Sequence, residues 1–256
     1  MENVQLRVYL FAAATALFLF SLPAFGAPEA SPTPEEILAK METTINGFQD
    51  QQMDVTMTIV DTDGSKKSYD NMIYQKGDVK RYIIFTSGEN KGMATLIEDP
   101  SHIYVYLPGF KKVRRVAAHN MNQTFAGSDF SNEDMAMVSY TKTYDVKMEK
   151  EDPDYWYLLA TPKAGVESQY SKVIIKVDKK TYIQMSVDYY SKAGEKVKVF
   201  TMSDIKDYNG TKRASKVVLS DPRTKHSTEL FIKDFKVNQG LKDDMFTVRQ
   251  LQWGGK

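Results

Sequence analysis

Ser171–Tyr190, SKVIIKVDKKTYIQMSVDYY, decides the fold. Val173, Ile175 and Val177 alternate with Lys172 and Lys176; beyond the Asp178–Thr181 break, Ile183, Met185, Val187 and Tyr189 alternate with Gln184, Ser186 and Asp188. A period of two sends successive side chains to opposite faces. Each run is therefore a strand with one apolar and one wet face, the pattern of an antiparallel sheet enclosing one hydrophobic interior. The same reading extends towards both ends. Met53, Val55, Met57 and Ile59 alternate with Asp54, Thr56 and Thr58, and Asp63-Gly64 supplies a tight turn. Segments 68–75, 79–86, 93–97, 102–107, 144–150, 155–161, 196–205, 212–220 and 228–237 continue it, with turns such as Asp152-Pro153, Ala193-Gly194 and Asn209-Gly210 between strands. About eleven strands and no βαβ unit predict a mainly β fold, one curved antiparallel sheet closed or nearly closed on itself. A packed core and a cavity both fit that pattern.

One helix is expected. Thr33 is its N-cap, Pro34 its first residue, and Glu36 closes a capping box. Ile37, Leu38, Met41 and Ile45 share a face, and Gly47 ends the run. A helix with such a stripe has to cover something, here the concave side of the sheet.

Residues 1–26 read as a cleaved export signal. Arg7 precedes the apolar run Val8–Leu22, Pro23 breaks it, and Ala24-Phe25-Gly26 offers the cleavage site. The run is shorter than the ~20 residues needed to span a bilayer. Residues 27–34 are a linker and 35–256 a single domain, expected in the periplasm. The absence of cysteine removes disulfides and excludes lipid attachment at a mature N-terminal Cys. With 34 basic and 33 acidic side chains there is no strong field to attract nucleic acid.

Enzyme chemistry finds little support. His102, His119 and His226 are the only imidazoles, and no HExxH, GxSxG or phosphate-binding glycine loop occurs. Asp61-Thr62-Asp63-Gly64 lacks the other ligands of a calcium loop and reads as a hairpin turn. No catalytic residue, metal or cofactor is assigned.

Leu107–Met135, LPGFKKVRRVAAHNMNQTFAGSDFSNEDM, behaves differently from the rest. A strand breaks at Pro108-Gly109 and turns basic at Lys111, Lys112, Arg114 and Arg115. This run is either a solvated strand or a contact for anionic headgroups or a partner. Phe125–Ser131 looks like a lid in which Gly127 gives freedom and Ser131 caps a short helix through Asn132–Met137, with Glu133 and Asp134 in its first turn. Phe125 and Phe130 serve there as a movable apolar plug or as core anchors.

Leu107-Pro108, Lys112-Val113-Arg114-Arg115 and Gly127-Ser128-Asp129-Phe130-Ser131 with its acidic pair resemble the signature of the periplasmic outer membrane lipoprotein-sorting protein family. That family is similar to the LolA lipoprotein carriers and to sigma-factor regulators built on the same half-barrel. Tyr170–Val173, Val177–Tyr182, Val187–Tyr190, Phe200–Ile205 and Gly240–Thr247 extend the likeness over most of the chain. The resemblance implies a half-open barrel with a helical lid and an apolar cavity. It implies a monomeric, non-enzymatic carrier of a lipid or lipoprotein acyl chain between envelope membranes, working with an inner-membrane lipid exporter and an outer-membrane acceptor. The alternative is a module that senses lipid or envelope stress and regulates such a partner. On this reading Met53, Val55, Met57, Ile59, Phe125, Phe130 and Met185 line the lipid site, the methionines lending it pliability. Lys112, Arg114 and Arg115 meet the headgroup or partner.

Overall fold

The computed structural model describes residues 31–137 and 139–253, so the export-signal segment lies outside the described residues. Helix α1, Pro34–Asn46, starts as its sequence dictates: Glu36 N donates to Thr33 Oγ1 (3.2 Å) and Thr33 N to Glu36 Oε2 (2.9 Å). Ile37, Leu38 and Met41 are buried.

Thirteen strands follow: β1 Asp50–Val60, β2 Lys66–Lys76, β3 Lys80–Phe85, β4 Ala94–Asp99, β5 His102–Leu107, β6 Lys112–Arg115, β7 Tyr144–Glu151, β8 Tyr155–Pro162, β9 Tyr170–Asp178, β10 Gln184–Ser191, β11 Lys196–Tyr208, β12 Thr211–Ser220 and β13 Ser227–Val237. They form one antiparallel sheet in the order β6-β5-β4-β3-β2-β1-β13-β12-β11-β10-β9-β8-β7. Two meanders are thus sewn together along β1 and β13. The sheet curves without closing, since β6 and β7 are its opposite edges. These two are also consecutive in the chain, so residues 116–143 have to travel from one edge to the other. Helices α2 (Asn132–Ala136) and α3 (Tyr140–Thr143) lie in this strap, and α4 (Val248–Trp253) ends the described chain.

The basic run forms a strand, β6, as one of its two readings expects. Lysine and arginine there suit an edge, because charge discourages pairing with another sheet.

The inner face carries α1 on the β7–β10 half, where Ile37, Leu38 and Met41 pack with Tyr144, Trp156, Leu158, Val173, Ile175, Val187 and Tyr189. The outer face is not uniformly wet. Tyr82, Ala94, Leu96 and Tyr106 pack under Phe246 and Leu251, while Ile97 and Ile103 meet Ala136 of α2 on the inner side. Both faces of β4 are therefore buried, which explains the unbroken apolar character of Ala94–Ile97. One register expectation also fails. A shift between Gln184 and Ser186 places Gln184, rather than Met185, in a buried position, and Met185 is only half-buried.

Candidate functional site: the strap across the inner face

The strap turns tightly over residues 124–131. Phe125 N donates to Phe130 O (2.7 Å), Ser128 N to Phe125 O (2.9 Å), and Thr124 bridges Ser131. Ala126 and Gly127 both take positive φ, 51° and 75°, so the left-handed bend costs strain at the alanine and little at the glycine. The bend folds Phe125 down. Its ring lies 6.0 Å from that of Phe85 and packs with Met57, Ile59 and Tyr69, while Phe130 packs half-buried at the same cluster. Ser131 then caps α2, reciprocated by Asp134.

Polar contacts fasten the strap to several strands. Towards β13, Asp129 accepts from Thr228 Oγ1 (2.7 Å), and His226 Nδ1 stands 2.9 Å from its carboxylate. Towards β9, Glu133 accepts from Ser168 Oγ (2.6 Å) and Gln169 N (3.1 Å). Asp134 accepts from Tyr170 Oη (2.8 Å) and pairs with Lys198 Nζ on β11 (2.5 Å). Burial, followed by the Asp134 charge, raises the Tyr170 hydroxyl far above its usual value, so it is a fixed donor. Towards β3, Arg81 Nη1 donates to Met135 O (2.9 Å). At the far end Lys142 pairs with Asp78 (2.6 Å) and Thr141 Oγ1 donates to Glu42 of α1 (2.6 Å).

Beside the strap opens a cleft of about 1520 Å³. It runs between the β6 side (Arg115, Val116, His119, Met121) and the β7–β9 side (Tyr144, Val166, Gln169), with Ala136 and Met137 of the strap in its wall. It exceeds the ~300–1,000 Å³ of ordinary small-molecule pockets, and its mixed lining suits an amphiphile.

Arg81 and Arg213 were not singled out in the sequence, although Arg213 falls on the same alternation as Val217 and Leu219. Arg81 shares its face with Ile83 and Phe85 and donates Nε to Gln75 Oε1 (2.8 Å). Arg213 Nη1 reaches Gln51 Oε1 (3.2 Å), and its guanidinium lies 4.6 Å from the Phe235 ring. Both keep some accessible surface yet sit deep among protein atoms. Burial pulls each down to about 10, and for Arg81 the Arg213 charge adds to it. Both stay charged at neutral pH.

The expected lipid-lining residues fall into two groups. Met57 and Ile59 join Phe125 and Phe130 under the strap; Met53 and Val55 pack with Ile232 and Phe235. Met185 stands apart from both. Lys112, Arg114 and Arg115 are exposed on β6, with Arg115 donating to Ser101 O (3.0 Å) and lining the cleft. His102 pairs with Asp99 in the β4–β5 turn.

Residues 77–253, the whole of the strap and β3–β13, match the model of a family described as an uncharacterized protein. Among solved structures, a DUF1329 family protein from Desulfovibrio piger is 26% identical with a TM-score of 0.79, covering 85% of this chain and 97% of that one. A domain named for outer membrane lipoprotein sorting, from Vibrio parahaemolyticus, is 24% identical with a TM-score of 0.76 over 85% and 97%. A LolA superfamily protein from Nitrosomonas europaea is 20% identical with a TM-score of 0.72 over 86% and 100%. The last two share the fold. No curated protein matches the chain.

Proposed function

We propose, from the premise that this chain belongs to that uncharacterized family, that it is a periplasmic carrier which shelters the acyl chain of a lipid or lipoprotein beneath the strap and moves it between envelope membranes. The observation that carries this reading is the mismatch between what the strap covers and what holds it. It covers apolar residues of β1 and β3, but it is held largely by side-chain hydrogen bonds and ion pairs that can be exchanged with water. Releasing it exposes Met57, Ile59 and Phe85, and each CH₂ brought from water onto such a surface contributes about 0.8 kcal/mol. The adjoining cleft gives an acyl chain a way in from the open side of the sheet. Met53 and Val55 extend the apolar floor. Lys112, Arg114 and Arg115 meet anionic headgroups at the membrane surface or a membrane partner, an exporter on the inner side and an acceptor on the outer side. The role is binding rather than catalysis. No described helix is long and apolar enough to cross a membrane.

Transfer between vesicles tests this. Donor vesicles carrying a self-quenched fluorescent phospholipid are mixed with unlabelled acceptors, and dequenching should rise in proportion to added protein. Dequenching no faster than the spontaneous rate would remove the carrier reading.

A further inference from the structure

Resting on the lipid-binding reading, we propose that Arg81 and Arg213 are two arms of an internal anion site that receives the phosphate of the cargo's headgroup, so that the cargo is an anionic phospholipid rather than an amphiphile with a neutral head.

Both guanidiniums face the interior, and neither has a carboxylate partner among the described residues. Their acceptors are all neutral: Gln75 Oε1 and Met135 O for Arg81, Gln51 Oε1 and Ile45 O for Arg213. A guanidinium has five N–H donors. Arg81 uses two nitrogens and Arg213 one, so the Nη2 of each has no hydrogen-bond partner among the described residues. Charges withdrawn from bulk water ordinarily occur paired. Here the two are set side by side instead: Gln51 faces Gln75 across β1 and β2, Gln75 faces Arg81 across β2 and β3, and Arg213 binds Gln51.

The surroundings also hold these groups in place. Gln75 Nε2 is fixed by Asn46 Oδ1 (3.0 Å) and Gly77 O (2.9 Å), and Gln51 Nε2 by Ile45 O (3.1 Å), which orients the oxygens that the arginines bind. A planar fork suits a phosphate's oxygens. Contact with the last carbonyls of α1 explains one nitrogen of Arg213, but not a second arginine set against it. The site has a mechanical consequence. Arg81 also holds Met135 O of the strap, so a phosphate competing for that guanidinium loosens a strap contact as the cargo seats.

The test compares phosphatidic acid with diacylglycerol carrying the same fluorescent acyl chain, lipids that differ only in the phosphate. The wild-type chain should bind phosphatidic acid at least about tenfold more tightly, the scale of a buried charge contact. Arg81→Gln with Arg213→Gln should bring phosphatidic acid down to the level at which the same variant binds diacylglycerol. Should that pair fail to fold, Arg81→Lys with Arg213→Lys keeps the charge and should lower the preference only in part. Equal affinity of wild type for both lipids, or a preference surviving in the glutamine variant, would overturn the anion site and leave the lipid-binding reading standing. Failure to bind either lipid would overturn both. Inorganic phosphate titrated alone is the remaining arm: affinity equal to that for phosphatidic acid would make free phosphate, not a headgroup, the ligand.

Discussion

Asp134 of α2 and Lys198 of β11 meet 2.5 Å apart, with side chains only 8% and 17% exposed. Their pairing fastens the strap to the β7–β13 meander. The same carboxylate accepts from Tyr170 Oη and Ser131 N, both at 2.8 Å, and so closes the cap of α2.

Removing this carboxylate strands Lys198 and the Tyr170 hydroxyl. Asp134→Ala should lower unfolding stability by about 3–5 kcal/mol, the usual cost of breaking one side of a buried pair. Urea titration measures it. A loss under about 1 kcal/mol would show the pair to be effectively solvated.

Phe125 and Phe130 should respond unequally. Phe125 is 6% exposed inside a packed cluster, so Phe125→Ala should cost about 3–5 kcal/mol. The half-buried Phe130→Ala should cost clearly less. Equal, small losses would mean that both rings merely rest on the surface, as a plug would.

Acid should release the far end of the strap. The Asp78 carboxylate is held below its usual 3.8 by its hydrogen bond and charge pairing with Lys142. A depressed carboxylate stabilises the fold fully above its unfolded value, and the effect is lost as pH falls through the folded one. Amide exchange in α3, corrected for intrinsic rates, should therefore accelerate below pH 3.8. Asp78→Asn should show the faster exchange at every pH. Both groups are largely exposed, so the effect should also shrink with salt.

Charge reversal on β6 should affect loading rather than folding. Lys112, Arg114 and Arg115 are exposed and belong to no ion pair among the described residues. Replacing all three with Glu should slow lipid uptake from anionic vesicles, most of all at low ionic strength, with an unchanged unfolding midpoint. Unaltered uptake would confine β6 to protecting the sheet edge.

What was legible in the sequence was local. The Thr33–Glu36 and Ser131–Asp134 caps need three residues of separation, and alternation along β1 and β9 needs only its own strand. What was hidden depends on distant partners. The shift at Gln184–Ser186 breaks the alternation that would have buried Met185. Nothing local marks the partner of His226, because Asp129 lies 97 positions away. Arg81 and Arg213 lie on the apolar alternation of β3 and β12, but the partners that explain them, on the strap and α1, are distant in sequence. The edge-to-edge path of residues 116–143 follows from strand order, which periodicity does not encode.

Native mass spectrometry of the protein purified gently from cells that express it tests the central claim most directly. The expected result is a population heavier than the bare chain by one acyl-bearing amphiphile, which dissociates when the strap is loosened by Asp134→Ala. Recovery of the bare chain alone, under conditions that preserve lipid on a known carrier, would contradict a lipid-binding interior beneath the strap.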